Sequence, residues 1–132
     1  MQQHILGLAH VAVHTADLEE SVAFYQRIGG TVSKRDHLST PMGEKRFALV
    51  DLPGVTLELI ESPTPVPLGE GNLPHLAFYV DDLDAAASQL RAAGVDTFLT
   101  PEKRTVPHLF GGLENWFFTG PSGEQIELMK ML

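Results

Sequence analysis

The stretch LAHVAVHTADLEESVAFYQRIGG, residues 8–30, can be laid without a gap on LPHLAFYVDDLDAAASQLRAAGV, residues 73–95, at a constant offset of 65. His10 falls on His75, Asp17 on Asp82, Leu18 on Leu83 and Gly29 on Gly94. An internal repeat decides the fold before any element is assigned, because each copy is one unit of structure. Each copy reads as a strand of about six residues, an Asp at a helix start, a helix with apolar residues three and four apart, and a Gly that stops it. The apolar positions are Leu18, Val22, Tyr25 and Ile28 in the first helix and Leu83, Ala86, Leu90 and Ala93 in the second, so both helices are amphipathic covers.

Outward from the repeat, strand chemistry follows each helix. The first copy continues with TVSKRDHL, KRFALVDL, the turn Pro53-Gly54 and VTLELIE. The second continues with a short stretch near VDTFLT, then ENWFFTG, the turn Pro121-Ser122-Gly123 and EQIELMKML. The expected fold is α+β: two βαβββ modules whose mixed sheets curl around a cleft, with the helices on the outer faces. Module one covers about residues 5–61, a proline-dense linker (Pro63, Pro65, Pro67) about 62–73, and module two about 74–132, all within one domain, 1–132.

Composition narrows the chemistry. With 132 residues, 43% hydrophobic and 20% charged, the chain has the arithmetic of one globular domain, and disorder is excluded. It has no cysteine, hence no disulfide and no thiolate metal site, and any metal falls to His and carboxylate. A net charge of −8 repels phosphate backbones and anionic lipid, so neither nucleic acid nor membrane is an expected partner. There is no apolar run of about 18 residues and no basic region before the first short one, so the expected location is cytoplasmic.

Strand parity selects the side chains that enter the cleft. In LAHVAVH, Val11 and Val13 suit the face beneath the helix, which leaves His10, Ala12 and His14 opposite. In VTLELIE, Leu57 and Leu59 pack while Thr56, Glu58 and Ile60 face away. His75, Ala77 and Tyr79, then Gln125, Glu127 and Met129, repeat the arrangement. Alone, each of these residues has a bland explanation, a solvated strand histidine or the wet face of a half-buried strand. Recurrence at matched positions in both modules favours a site instead. Two neutral imidazoles and two carboxylates suit one divalent cation, Ni, Co, Zn, Mn or Fe, with Mg a weaker fit.

At HVAVHTADLEESVAFY, LELIE, PHLAFYVDDLDAA and GPSGEQIELMK the chain resembles the vicinal oxygen chelate superfamily, which holds glyoxalase I, epimerases, extradiol dioxygenases, fosfomycin-modifying enzymes and bleomycin resistance proteins. The resemblance runs from Leu8 to Leu132. It implies metal ligands at His10, Glu58, His75 and Glu127, and a glutamate in the Glu58 position points to the glyoxalase-like branch. The implied activity is that of a metal-dependent lyase or isomerase, in which a carboxylate removes a proton beside a carbonyl and the metal stabilises the resulting enediolate. Glu127 is the first candidate for that base and Glu58 the second. A dioxygenase, or a resistance protein that sequesters a planar drug, remains as an alternative. The resemblance also implies a homodimer, with the ligands drawn from one chain or from two.

Two positions depart from glutathione-dependent glyoxalases: His14 stands where an Arg is usual and Ser62 where an Asn is usual, which leaves the co-substrate open. Cleft-wall candidates for a small-molecule substrate are His14, Tyr79, Trp116, Arg104 and His108, the last two in the long segment PEKRTVPHLFGGLEN, which reads as a lid or as an irregular edge strand. Parity leaves Phe47 or Ala48, and Trp116 or Phe118, as the inward aromatic positions. No phosphate-cradling glycine loop marks an organic cofactor. Asp17 and Asp82 are read as helix N-caps, and His4 as a solvated tail residue.

Overall fold

The computed structural model describes residues 8–66, 75–107 and 109–132. The chain divides into two compact units, Met1–Val66 and Pro67–Leu132. The first holds β1 (Val11–Thr15), α1 (Leu18–Arg27), β2 (Thr31–Thr40), β3 (Gly43–Leu52) and β4 (Val55–Glu61). The second holds β5 (Leu76–Tyr79), α2 (Leu83–Ala92), β6 (Arg104–Val106), β7 (Leu113–Thr119) and β8 (Gln125–Met131). The strand orders are β1-β4-β3-β2 and β5-β8-β7-β6, with the outer pairs β1/β4 and β5/β8 parallel and the remaining pairs antiparallel. Both units are therefore βαβββ modules with a mixed four-stranded sheet and one helix.

The helices start where their caps place them. Asp17 is in extended backbone and its carboxylate accepts the Glu20 amide at 3.1 Å; Asp82 accepts the Ala85 amide at 3.0 Å. A third carboxylate helps in the first unit, since Glu61 at the end of β4 accepts the Leu18 amide at 2.7 Å and so ties the helix entrance to the sheet. Nearby, the hydroxyls of Thr15 and Ser21 share a buried 2.7 Å hydrogen bond. On the outside of this module Arg35 reaches Glu19 at 2.7 Å, and that hydrogen bond holds the Glu19 carboxyl below the usual carboxylate range. At the other end the chain must turn tightly, for the Gly30 amide donates to the Tyr25 carbonyl at 2.7 Å. A Cβ on Gly30 would lie 2.7 Å from both that oxygen and Val50 Cγ1.

Leu18, Val22, Phe24 and Tyr25 of α1 are buried, as are Ala48, Val50, Leu57 and Leu59 of the sheet. Burying such a side chain stabilises by about 1.5–3 kcal/mol, which is why one sheet face is committed to the helix. The second unit buries Leu83, Ala87, Val95, Trp116, Phe118, Ile126 and Leu128. Its helix is shorter of core contacts than the apolar spacing suggests: Ala86 and Leu90 are half-buried and Ala93 is exposed.

Two elements differ from the sequence expectation. The stretch near VDTFLT makes only an isolated bridge, Phe98 to Phe118, because Pro101 lacks an amide to extend the ladder. Pairing resumes three residues further on, so PEKRTVPHLFGGLEN supplies the short edge strand β6. In the first unit β2 carries a bulge, its register with β3 shifting between Val32 and Lys34. Among the described residues no helix is long and apolar enough to cross a membrane. His4, His108 and residues 67–74 of the linker region lie outside the described residues.

Candidate metal half-sites

In each unit the sheet face turned away from the helix carries a histidine and a glutamate in contact. His10 immediately precedes β1, which runs parallel to β4 with Ala12 opposite Glu58. The strand twist brings His10 Nε2 within 3.5 Å of Glu58 Oε1, with the two side chains 38% and 24% exposed. His75 precedes β5 in the same way, Ala77 lies opposite Glu127, and His75 Nε2 stands 3.3 Å from Glu127 Oε1.

The pairs differ in their surroundings. Glu127 is buried and its second oxygen, Oε2, accepts a 2.8 Å hydrogen bond from Asn115 Nδ2 on β7. Phe117, directly opposite Glu127, packs edge-on against the His75 ring at 5.3 Å. In the first unit Leu49 is opposite Glu58, and Phe47 holds the position that Asn115 holds in the second. Glu58 is thus the less constrained carboxylate.

The donor chemistry fits a divalent cation. Bonds of about 2.1 Å at angles near 90–109° place neighbouring donors about 3.0–3.4 Å apart, and both pairs lie at or just beyond that spacing. Each pair supplies one imidazole nitrogen and one carboxylate oxygen. Among the described residues, no third His, Cys, Asp or Glu joins either pair within its own unit.

The remaining candidates divide by register. His14 lies opposite Ile60 and Tyr79 opposite Met129, matched positions on the two open faces, and Tyr79 is 77% exposed. Arg104 is opposite Asn115, also on the open face. Trp116 is elsewhere. It pairs with Leu128 on the helix face, is buried, donates its indole N–H to the Thr100 carbonyl at 3.0 Å, and packs against Phe98 at 4.6 Å. Arg91 of α2 covers it, 5.0 Å from the ring. The aromatic wall beside the second pair is Phe117, and beside the first it is Phe47, while Ala48 and Phe118 are core.

Sequence reasoning missed Phe117, Asn115 and Lys34. The first two became visible only once the β7/β8 register was known, although alternation from Glu127 through a guessed turn length was a usable signal. A cavity of about 410 Å³ opens beside the first pair, lined by His10, Glu58, Phe47, Leu49, Lys34 and Asp36 with their strand neighbours.

The protein has clear relatives. It is 32% identical over 150 residues to 2-epi-5-epi-valiolone epimerase from Actinomyces sp, an alignment that spans 96% of this chain and 80% of that protein. It is 27% identical over 125 residues to the uncharacterized protein YwbC of Bacillus subtilis (strain 168), covering 92% of this chain and 94% of the relative. A glyoxalase family protein from Enterococcus faecalis has the same fold, with a TM-score of 0.75 and 23% identity over 95% of this chain and 98% of the other. The repeated module, the doubled His-Glu pair and a family model that matches residues 7–128 agree: the chain belongs to the Glyoxalase/Bleomycin resistance protein/Dioxygenase superfamily.

Proposed function

We propose that the protein is a metal-dependent isomerase or lyase of the glyoxalase type, acting on a small carbonyl compound by removing a proton from the carbon next to the carbonyl. The observation that carries this reading is the matched His-Glu pair in each unit, with donor separations of 3.5 and 3.3 Å. His10, Glu58, His75 and Glu127 would hold one divalent ion, of the Ni, Co, Zn, Mn or Fe type. When bound, such an ion supplies Lewis acidity toward a substrate oxygen.

The chain's own groups do the rest. Glu127 Oε1 would be the base that accepts the proton, giving up its place as a donor to do so, while Oε2 stays fixed by Asn115. Holding one oxygen leaves the other aimed in a constant direction, the geometric requirement for proton transfer. Phe117 and Phe47 provide apolar walls that limit water beside the pairs. The relationship to a protein named as an epimerase supports this reading, because an epimerisation beside a carbonyl would begin with the same proton removal. Trp116 is buried on the helix face and so is not part of a wall on the open face.

Metal analysis of protein purified without chelator, combined with substrate-carbon exchange in deuterated water over a panel of carbonyl compounds, tests the proposal. Bound metal in roughly stoichiometric amount, its strong loss on His75→Ala and a retained fold are the expected results. His75 lies outside β5 and is 38% exposed, so its removal should leave the core unchanged. Full metal occupancy in that variant would refute the assignment.

A further inference from the structure

We propose that the substrate carries an anionic group, a carboxylate or a phosphate, in addition to its carbonyl, and that Lys34 is the residue that holds it. This rests on the reading of His10 and Glu58 as part of a carbonyl site and names the substrate class of that site.

The placement of Lys34 follows from the bulge in β2. Simple alternation from Thr31 would send Ser33, Arg35 and His37 to the open face and turn Lys34 toward the helix. Instead Val32 pairs with Val50 and Lys34 with Leu49, so Ser33 is the extra residue, its hydroxyl donating to the Leu49 carbonyl at 3.4 Å. An inserted residue of this kind re-aims the side chains that follow. Lys34, Asp36 and Leu38 therefore share the open face with Glu58, while Arg35, which also borders the cavity, sends its guanidinium to Glu19.

Lys34 stands in one cross-strand row with the proposed metal donor, since Glu58 is opposite Leu49 and Leu49 is opposite Lys34. Two strand spacings, about 10 Å, separate the backbones, and both side chains line the same 410 Å³ cavity. A site of that size takes a small molecule.

The charges around it select an anion. Arg35 and Arg46 are engaged by Glu19 and Glu61, and Lys45 on the same open face lies over the Phe47 ring at 5.7 Å. Lys34 has no carboxylate partner among the described residues, and of these four cations it is the one both open to the cavity and uncommitted. Asp36, two residues along the same face, already accepts the His37 amide at 2.8 Å, and its charge steers an anion away from itself onto the Lys34 row. Leu49, between Lys34 and Glu58, offers an apolar surface to the carbon frame joining carbonyl and anion.

The test compares three hydroxyketones, hydroxypyruvate, dihydroxyacetone phosphate and neutral dihydroxyacetone, by amide chemical-shift titration of zinc-loaded and of chelator-treated protein. Tighter binding of at least one anionic compound than of dihydroxyacetone is expected, by about ten- to hundredfold, as befits one hydrogen bond to a charged group. The carboxylate and phosphate arms show which anion is preferred. Lys34→Met should abolish the difference and Lys34→Arg should retain most of it. Lys45→Met should leave it intact, and zinc uptake should be the same in all three variants. Equal binding of the three compounds by the wild-type protein, or an anion preference that survives Lys34→Met, would overturn the proposal. Failure of zinc uptake would instead refute the metal reading, and in that case the chelator-treated titration still decides for or against Lys34.

Discussion

Glu127 and Glu58 have the same chemistry in unequal settings, one buried and hydrogen-bonded to Asn115, the other half-buried beside Leu49. If Glu127 is the base, Glu127→Gln keeps an oxygen beside His75 but removes the basicity, and exchange at the substrate carbon should fall by about a hundred- to ten-thousandfold. Glu58→Gln should cost less, with metal content in both variants changing less than exchange does. Deuterium incorporation followed by NMR reads both, and undiminished exchange in the Glu127 variant would assign the proton to another residue. The two histidines and the two glutamates were legible in the sequence as matched pairs, because the histidines fall on each other in the gapless repeat and the glutamates in the similar strand endings Leu57-Glu58-Leu59 and Ile126-Glu127-Leu128. Asn115, Phe117 and Lys34 were not, since each depends on which residue of a neighbouring strand lies opposite, and nothing local in the sequence states that. Trp116 shows the same gap from the other side: a single residue of register separates the cleft wall from the core.

At the scale of elements, the caps and the turns were the most readable features. Asp17 and Asp82 sit where a carboxylate satisfies the first free amides of a helix, which is a local requirement and hence visible locally. The α1 to β2 connection is just as local but more demanding. Gly30→Ala forces a methyl group against the Tyr25 carbonyl and Val50, so either the helix end or β3 must shift. Its expected cost is about 1–3 kcal/mol, read as a lower midpoint in urea denaturation. A stability unchanged within error would mean that the turn relaxes freely. Of the two readings of PEKRTVPHLFGGLEN, the edge strand is the one that forms; it is three residues long, too short for periodicity to announce, and Pro101 separates it from the bridge at Phe98. The bulge in β2 was equally hidden, for TVSKRDHLST has no glycine to mark it.

For the molecule as a whole, two donors per unit are too few for the proposed four-ligand ion, so the proposal requires one unit of each kind for every ion. A homodimer at micromolar concentration is the expected state by light scattering. Mixing His10→Ala with His75→Ala protein after denaturation and refolding tells where the donors come from. If sites form across two chains, random pairing restores about a quarter of wild-type metal content; if each site forms within one chain, nothing is restored. The two copies of the repeat also differ unevenly. The donor pairs are alike in both copies, whereas the outer strands have diverged into a ten-residue β2 with a bulge and a three-residue β6. β2 and β6 lie at the sheet edges remote from the His-Glu pairs, separated from the glutamate-bearing β4 and β8 by β3 and β7. A single codon gained or lost downstream of Ser33 would exchange Lys34's successors for the residues now behind them, Asp36 for its neighbour and so on along the strand. Such an event would rewrite one wall of the cavity and leave the His10-Glu58 pair where it is, so that what the cavity accepts can change without any change in the pair beside it.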